Sequence, residues 1–155
     1  MKQIIALSGL KQSGKVKLCE LWDQNANVSY IKPFTDNPKR RFDGYSFLPT
    51  KDLHKKMDEE SILCSSMVKD FDYIYFQSQL INDYNLLIVD DYALKELKEI
   101  YPKIITVWVE NPKAEDSGRV GVIYRKSDYD YIYNYGLDEP EEFLEQIAFD
   151  REILG

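Results

Sequence analysis

Seven residues near the start of the chain have the spacing of a phosphate-binding loop. The segment GLKQSGK, residues 9–15, fits the pattern G-x-x-x-x-G-K between an apolar run and an amphipathic stretch. Its glycines let backbone N–H groups turn toward a phosphate, and the helix that follows adds the positive end of its dipole. Lys15 would add a mobile positive charge. The segment therefore predicts a site for a nucleotide phosphate.

The next residue departs from this pattern. Val16 stands where the pattern has Ser or Thr, whose hydroxyl would ligate Mg²⁺. Backbone binding of a phosphate does not need that hydroxyl, whereas placement of the metal does. Lys17 cannot replace it, because a cation does not ligate a cation.

Two adjacent carboxylates follow the apolar run LLIV at residues 86–89. Ligands gather at the carboxyl ends of parallel strands, so Asp90 and Asp91 are expected to organise Mg²⁺ or water. A strand-ending turn or a helix N-cap requires an Asp at the same place, and this is the alternative interpretation.

A basic cluster stands out on an otherwise acidic chain. The formal net charge is -7, yet Lys32, Lys39, Arg40 and Arg41 lie close together against the single acid Asp36. A local positive cluster favours a specific anionic ligand, and the overall charge argues against a nucleic-acid partner. A solvated basic loop is the alternative.

Composition narrows the class of protein further. A chain of 155 residues, 44% hydrophobic and 30% charged, is expected to form one globular domain. There is neither an apolar run of about 18 residues nor a secretory signal, so we expect no membrane partner and a cytoplasmic location. Cys19 and Cys64 are then predicted to be reduced, buried thiols, and the single His54 argues against zinc.

Strand and helix patterns alternate over most of the chain. Strands are predicted over residues 4–7, 28–31, 45–48, 61–68, 73–76, 86–89, 104–109 and 129–133. Helices are predicted over residues 15–23, 51–59 and 92–101 and after residue 138, with Thr50 and Asp138 as N-caps. This order predicts an α/β fold with a parallel sheet and helices on both faces. Pro33 and Pro38 mark a loop, and residues 29–76 form a β-rich insertion.

The order of these motifs resembles the guanylate kinase family over nearly the whole chain. After the phosphate loop come SYIK at residues 29–32, the basic cluster, DGYSF at 43–47 and a lysine-rich helix. LIVD at 87–90 and YDYIYN at 129–134 complete the series. The resemblance implies one P-loop domain over residues 1–155. Its core would comprise residues 1–28 and 77–155, and its monophosphate-binding insertion residues 29–76.

The family holds the phosphate of its acceptor nucleotide with two arginines and two tyrosines. The resemblance implies substrate-binding roles for Ser29, Lys32, Arg40, Arg41, Tyr45, Tyr73 and Tyr75. Lys32 matches the first arginine, and Arg40 or Arg41 matches the second. Tyr45 matches one tyrosine, and Tyr73 or Tyr75 the other. Cations and phenol hydroxyls that converge in this way suit a monophosphate.

The resemblance also implies residues for the phosphate donor. ATP would be bound by Gly9, Ser13, Gly14, Lys15 and Asn134, and the catalytic residues would be Lys15, Asp90, Arg119 and Arg125. Asp90 would also hold Mg²⁺. Cys64 stands near the glutamate that reads guanine in the family, and Tyr92-Ala93 replaces its Gln-Gly. The lid is shortened to residues 110–128.

Two functions follow from these residues. The first is transfer of the γ-phosphoryl of ATP to a nucleoside or deoxynucleoside monophosphate, with Mg²⁺ as cofactor. The second is a catalytically inactive guanylate-kinase-like binding module. Lys15 and the basic cluster favour the first, whereas Val16 and the short lid favour the second.

Overall fold

The described part of the chain forms nine strands and four α-helices. The computed structural model describes residues 2–41, 43–114 and 123–154. The strands are β1 (Gln3–Ser8), β2 (Val28–Tyr30), β3 (Phe34–Thr35), β4 (Ser46–Phe47), β5 (Ile62–Val68), β6 (Phe71–Phe76), β7 (Tyr84–Ile88), β8 (Ile105–Glu110) and β9 (Tyr131–Asn134). The helices are α1 (Lys15–Trp22), α2 (Thr50–Glu59), α3 (Asp91–Ile100) and α4 (Pro140–Leu154). None of these helices is long and apolar enough to cross a membrane.

The larger sheet is parallel and carries helices on both faces. Its strand order is β2-β7-β1-β8-β9. Successive strand residues point to opposite faces, so Ile5 and Leu7 of β1 pack with residues of α1 and α4. Ile4 and Ala6 point the other way and pack with residues of α3. The predicted α/β fold class is therefore confirmed.

A second, four-stranded sheet has the order β4-β3-β6-β5. The β3–β4 pair is parallel, and the other two pairs are antiparallel. Helix α2 packs its buried Leu53 against Ile74 and Phe76 of β6. The segment around Pro33 and Pro38, predicted as loop, holds β3 and a short 3-10 helix over Pro38–Arg40.

Both predicted N-caps are wrong. The Thr50 hydroxyl instead donates to the Asp36 carboxylate at 2.9 Å, because Thr50 already lies in the first turn of α2. The Asp138 carboxylate accepts the backbone N–H of Asn134 in the preceding turn at 2.7 Å. Glu139 accepts two backbone N–H groups from the first turn of α4 in its place. The residue types alone could not show which of two adjacent acids, Asp138 or Glu139, caps α4.

Candidate functional site

A cavity of about 260 Å³ lies between the two sheets, at the carboxyl ends of β1 and β7. Eight predicted site residues line it: Gly9, Lys15, Arg40, Tyr45, Tyr73, Tyr75, Asp90 and Asp91. They come from segments far apart in the chain. The fold therefore brings the phosphate loop, the basic segment and both strand-end carboxylates to one space.

The phosphate loop, residues 9–15, turns sharply between β1 and α1. Gln12 and Gly14 adopt positive φ values of 64° and 102°. A Cβ atom on Gly14 would lie 2.4 Å from the ring of Tyr135, so the position has room for glycine alone. At the end of β1 the Ser8 hydroxyl donates to the carbonyl of Val89 at 2.9 Å. The loop is thus shaped by its backbone and tied to β1 and the end of β7.

Lys15 lies across the loop. Its Nζ donates to the carbonyl oxygens of Gly9 at 2.6 Å and Leu10 at 3.1 Å. Burial lowers the pKa of Lys15, against a smaller opposite effect of Cys19. The ammonium group is therefore held where it faces both the loop and the cavity.

Ser13 is the most buried polar residue of the loop. It is 1% exposed, and within the described ranges its Oγ has no hydrogen-bond partner. A Cβ on Gly9 would meet that oxygen at 2.6 Å. The serine therefore packs inside the loop, and neither Ser13 nor Gly14 is among the described residues of the cavity wall.

The two carboxylates after β7 have different environments. Asp90 caps α3 by accepting the backbone N–H of Ala93 at 2.8 Å, and it also lines the cavity. Burial raises its pKa. The Asp91 carboxylate accepts the N–H groups of Ile123 at 2.5 Å and Tyr124 at 3.2 Å. Asp90 therefore caps α3 and also lines the cavity.

Three other side chains that line the cavity form a group that we call the insertion cluster: Arg40, Tyr45 and Tyr73. The guanidinium of Arg40 lies 5.2 Å from the ring centre of Tyr45. The rings of Tyr45 and Tyr73 meet edge to face at 6.1 Å. A hydrogen bond to the Tyr73 hydroxyl raises the pKa of Arg40. The cluster is a set of cationic and phenolic donors that suits an anion.

Lys32 stands behind this cluster. Its Nζ donates to the carbonyl of Asp43 at 2.6 Å and lies 5.4 Å from the ring centre of Tyr45. The chain at Gly44 approaches closely, since a Cβ there would lie 3.0 Å from the Lys32 Nζ. Lys32 is not among the described residues of the wall, so it would act on an anion through its charge.

The fold of the chain is similar to that of solved structures. No protein-family model matches the chain, and no curated protein matches it. The crystal structure of guanylate kinase from Anaplasma phagocytophilum matches with a TM-score of 0.66 and 16% sequence identity. The match covers 98% of this chain and 85% of that chain. The fold is guanylate-kinase-like.

In this guanylate-kinase-like fold, the two residues of each pair that the sequence left as alternatives have different surroundings. The pairs are Arg40 or Arg41 and Tyr73 or Tyr75. Arg41 is not among the described residues of the cavity wall, and its guanidinium lies 4.6 Å from the ring centre of Phe47. Arg40 is the arginine that lines the wall. Tyr75 is buried and its hydroxyl donates to the carbonyl of Ile88 at 2.9 Å. Tyr75 therefore presents its ring to the cavity, with its hydroxyl already bonded.

Other predicted site residues lie elsewhere. The Ser29 hydroxyl accepts a hydrogen bond from Asn82 at 3.1 Å, and the Asn134 amide contacts Asp138 at 3.3 Å. Neither is among the described residues that line the cavity, and the same holds for Arg125. Arg119 lies outside the described residues.

Sequence reasoning missed two aromatic residues of the wall, Tyr30 and Trp108. The indole N–H of Trp108 donates to the Glu110 carboxylate at 2.7 Å, and Glu110 pairs with Lys126 at 2.8 Å. A tryptophan inside an apolar strand is indistinguishable from a core residue. Its place near the carboxyl end of β8 is the one signal that could have indicated it.

The region expected to read the base is apolar or carries hydroxyl groups. Cys64 is a buried thiol whose pKa burial raises to about 12. Cys19 is buried and unpaired as well, as predicted for both. Ser65 and Ser66 line the cavity beside Cys64. The Ser65 hydroxyl donates to Glu96 at 3.1 Å.

Proposed function

We propose that this protein binds two nucleotides and transfers the γ-phosphoryl of ATP to a nucleoside or deoxynucleoside monophosphate. The observation that carries the proposal is that Lys15 of the phosphate loop and Arg40 of the segment before the second sheet's β4 line one cavity. Phosphoryl transfer between nucleotides needs both phosphate groups in one water-poor space, with positive charge near each.

The phosphate loop would hold the donor, ATP. Its backbone N–H groups and the N-terminus of α1 suit the β- and γ-phosphates. Lys15 would exchange the carbonyl oxygens of Gly9 and Leu10 for phosphate oxygens. The buried Ser13 hydroxyl would gain a partner. Asn134 and the two arginines of the predicted lid, Arg119 and Arg125, are assigned to this side on the resemblance alone.

The insertion cluster would hold the acceptor, a nucleoside monophosphate. Arg40 and Tyr73 would donate to phosphate oxygens, and Tyr45 would lie beside them. Lys32 would add positive charge from behind Tyr45. The resemblance gives Ser29, Arg41 and Tyr75 roles in this site as well, but of these three only Tyr75 lines the cavity, and we assign no phosphate contact to Ser29 or Arg41.

Asp90 is the residue that would hold Mg²⁺. The ion commonly takes one or two carboxylates together with substrate phosphates and water. Asp90 and Asp91 both line the cavity, and the Asp91 carboxylate already accepts the backbone N–H groups of Ile123 and Tyr124. Within the described residues, no group of three or more His, Cys, Asp or Glu side chains could hold a metal by itself. When bound, Mg²⁺ would neutralise charge on the phosphates.

A second function, an inactive binding module, has one observation in its favour. Val16 is 45% exposed at the position where the phosphate-loop pattern has a hydroxyl. Loss of that ligand weakens metal placement while leaving the backbone of the loop free to bind phosphate.

A turnover assay separates the two functions. ADP formation from ATP and Mg²⁺ is measured with each common nucleoside and deoxynucleoside monophosphate, in the native chain and in Val16→Thr. A kinase requires ADP formation that depends on one of the monophosphates and increases in Val16→Thr. Binding of both nucleotides without ADP formation in either chain would support the binding module.

We also propose the division of the chain into a core and an insertion. The second sheet comes entirely from β3 to β6, between residues 34 and 76. Strand β2 extends to Tyr30 in the parallel sheet, so we place the start of the insertion after Tyr30 instead of at residue 29.

A further inference from the structure

Two contacts of opposite polarity fix the side chain of Asn37. The backbone N–H of Lys39 donates to Asn37 Oδ1 at 3.0 Å. A backbone N–H can only donate, so the atom that faces it must be the amide oxygen. The other end of the amide is then the NH₂ group, which lies 2.9 Å from the hydroxyl oxygen of Tyr73.

This orientation decides which way the Tyr73 hydroxyl is used. An amide nitrogen has no acceptor, so the Tyr73 oxygen must accept from Asn37 and direct its own hydrogen elsewhere. The guanidinium of Arg40, whose pKa Tyr73 raises, is also a pure donor and cannot accept that hydrogen either. With Asn37 as a donor to that oxygen, the remaining polar capacity of Tyr73 is its O–H hydrogen.

We propose that Asn37 is a positioning residue that turns the Tyr73 hydroxyl hydrogen toward the cavity. Together with Arg40, this makes the wall a surface of donors, which selects a phosphate oxygen over a ligand hydroxyl or amine. The inference deepens the proposed acceptor site and rests on it for the identity of the nucleotide. The orientation of the hydroxyl itself rests on the contacts of Asn37.

The local structure holds Asn37 in place. Its backbone N–H donates to Thr35 Oγ1 at 3.1 Å. The neighbouring Asp36 is buried and accepts hydrogen bonds from Thr50 and from the backbone of Asp72, each at 2.9 Å. Asn37 also begins the 3-10 helix that carries Arg40. A test must therefore separate the effect on Tyr73 from an effect on this helix.

A double-mutant cycle makes that separation. Asn37→Asp keeps the shape of the side chain and the N-cap contact with Lys39, but it replaces the NH₂ donor by an acceptor. The hydroxyl hydrogen of Tyr73 would then turn toward the carboxylate and leave the cavity. The effect of Asn37→Asp is measured twice, once in the native chain and once in a chain that already carries Tyr73→Phe. Asn37→Ser, which keeps a capping hydroxyl but does not reach Tyr73, is the second variant.

The dissociation constants for inorganic phosphate and for each monophosphate are measured by calorimetry. In the Tyr73 background, Asn37→Asp is expected to weaken phosphate binding about tenfold beyond its effect in the Tyr73→Phe background. The cycle removes the plain effect of the added charge, which is present in both. Asn37→Ser is expected to show the same dependence on Tyr73 with a smaller factor.

Equal losses in the two backgrounds would overturn the inference, because Asn37 would then act through charge or through the helix. Measuring both inorganic phosphate and the monophosphates shows whether the role of Asn37 is wrong or the proposed function is wrong. Coupling seen with inorganic phosphate, when every monophosphate fails to bind, would support the oriented hydroxyl and contradict the kinase. Monophosphate binding without coupling would contradict the role of Asn37 and leave the acceptor site standing.

Discussion

The phosphate loop and the insertion cluster both suit an anion, but they are built in different ways. The loop is formed by the backbone, with positive φ at Gln12 and Gly14 and with Lys15 held by two carbonyl oxygens. The insertion cluster is formed by contacts between side chains, above all those of Tyr45 with Arg40 and Tyr73. A change of backbone geometry should therefore disable the loop. A change in the polarity of one side chain should disable the cluster.

The largest expected effect is on the backbone of the loop. Gly14→Ala should lower the free energy of unfolding by roughly 2–4 kcal/mol, from the left-handed φ and from the overlap with Tyr135. Urea denaturation measures this loss. Gly136→Ala is the matched control, because Gly136 has a φ of 85° and no atom within 4 Å of an added Cβ.

The control should lose only about 1 kcal/mol, the cost of the left-handed conformation. Equal losses in the two variants would mean that Tyr135 does not restrict the loop. Combining Gly14→Ala with Tyr135→Ala should restore part of the lost stability, since the overlapping ring is removed.

The second effect concerns the charge in the loop. Lys15→Met should weaken ATP binding about ten- to a hundredfold, because a charge-assisted contact with phosphate is removed. Calorimetry measures the affinity. Lys17→Met makes the same change of charge at an exposed position two residues further along α1, and it should alter ATP binding less than about threefold. Similar losses in both variants would show a general effect of charge.

The third effect distinguishes two neighbouring arginines in the insertion. Arg40→Ala should weaken monophosphate binding about tenfold and leave ATP binding within about twofold. Arg41→Ala should change neither affinity by more than about twofold, because Arg41 lies over Phe47 and is not among the described residues of the cavity wall. The reverse ranking of the two variants in the same titration would contradict the assignment of Arg40.

The smallest effect concerns Asp90, which lies between the two regions. Burial raises the pKa of its carboxyl in the folded state, so ionisation is less favourable there than in the unfolded chain. Stability is therefore lost as the pH rises through the folded-state pKa. Asp90→Asn keeps an N-cap and should raise the free energy of unfolding at pH 7 by no more than about 1 kcal/mol.

At about pH 3, where the carboxyl is protonated in both states, Asp90→Asn and the native chain should have equal stability. Denaturation at the two pH values tests this. A variant less stable than the native chain at pH 7 would mean that the ionised carboxylate stabilises the fold. ADP formation, if present in the native chain, should be lost in Asp90→Asn.

The same contrast explains what the sequence could predict. The phosphate loop is a local pattern of glycines and a lysine, so seven consecutive residues indicate it. The parallel sheet was also predictable, because short apolar runs such as β1 and β7 are distinct from the amphipathic helices between them. In the insertion, a single 3-10 turn decides whether Arg40 or Arg41 lines the cavity, and the residue types do not show how that turn is oriented.

The sequence also could not show whether Tyr73 or Tyr75 presents its hydroxyl to the cavity. They stand two residues apart on β6 and point to the same face, so alternation cannot separate them. They differ in depth, since Tyr75 reaches the carbonyl of Ile88 and Tyr73 contacts Asn37. Such contacts join residues far apart in the chain, and no pattern of neighbouring residues contains them.

We propose that the phosphate loop and the insertion cluster serve one cavity and bind two nucleotides together. Calorimetry with a compound in which adenosine is joined through five phosphates to a second nucleoside tests this proposal. Binding is expected to be about a hundredfold tighter than that of ATP, and to be weakened in both Lys15→Met and Arg40→Ala. Affinity no greater than that of ATP, unchanged in Arg40→Ala, would contradict it.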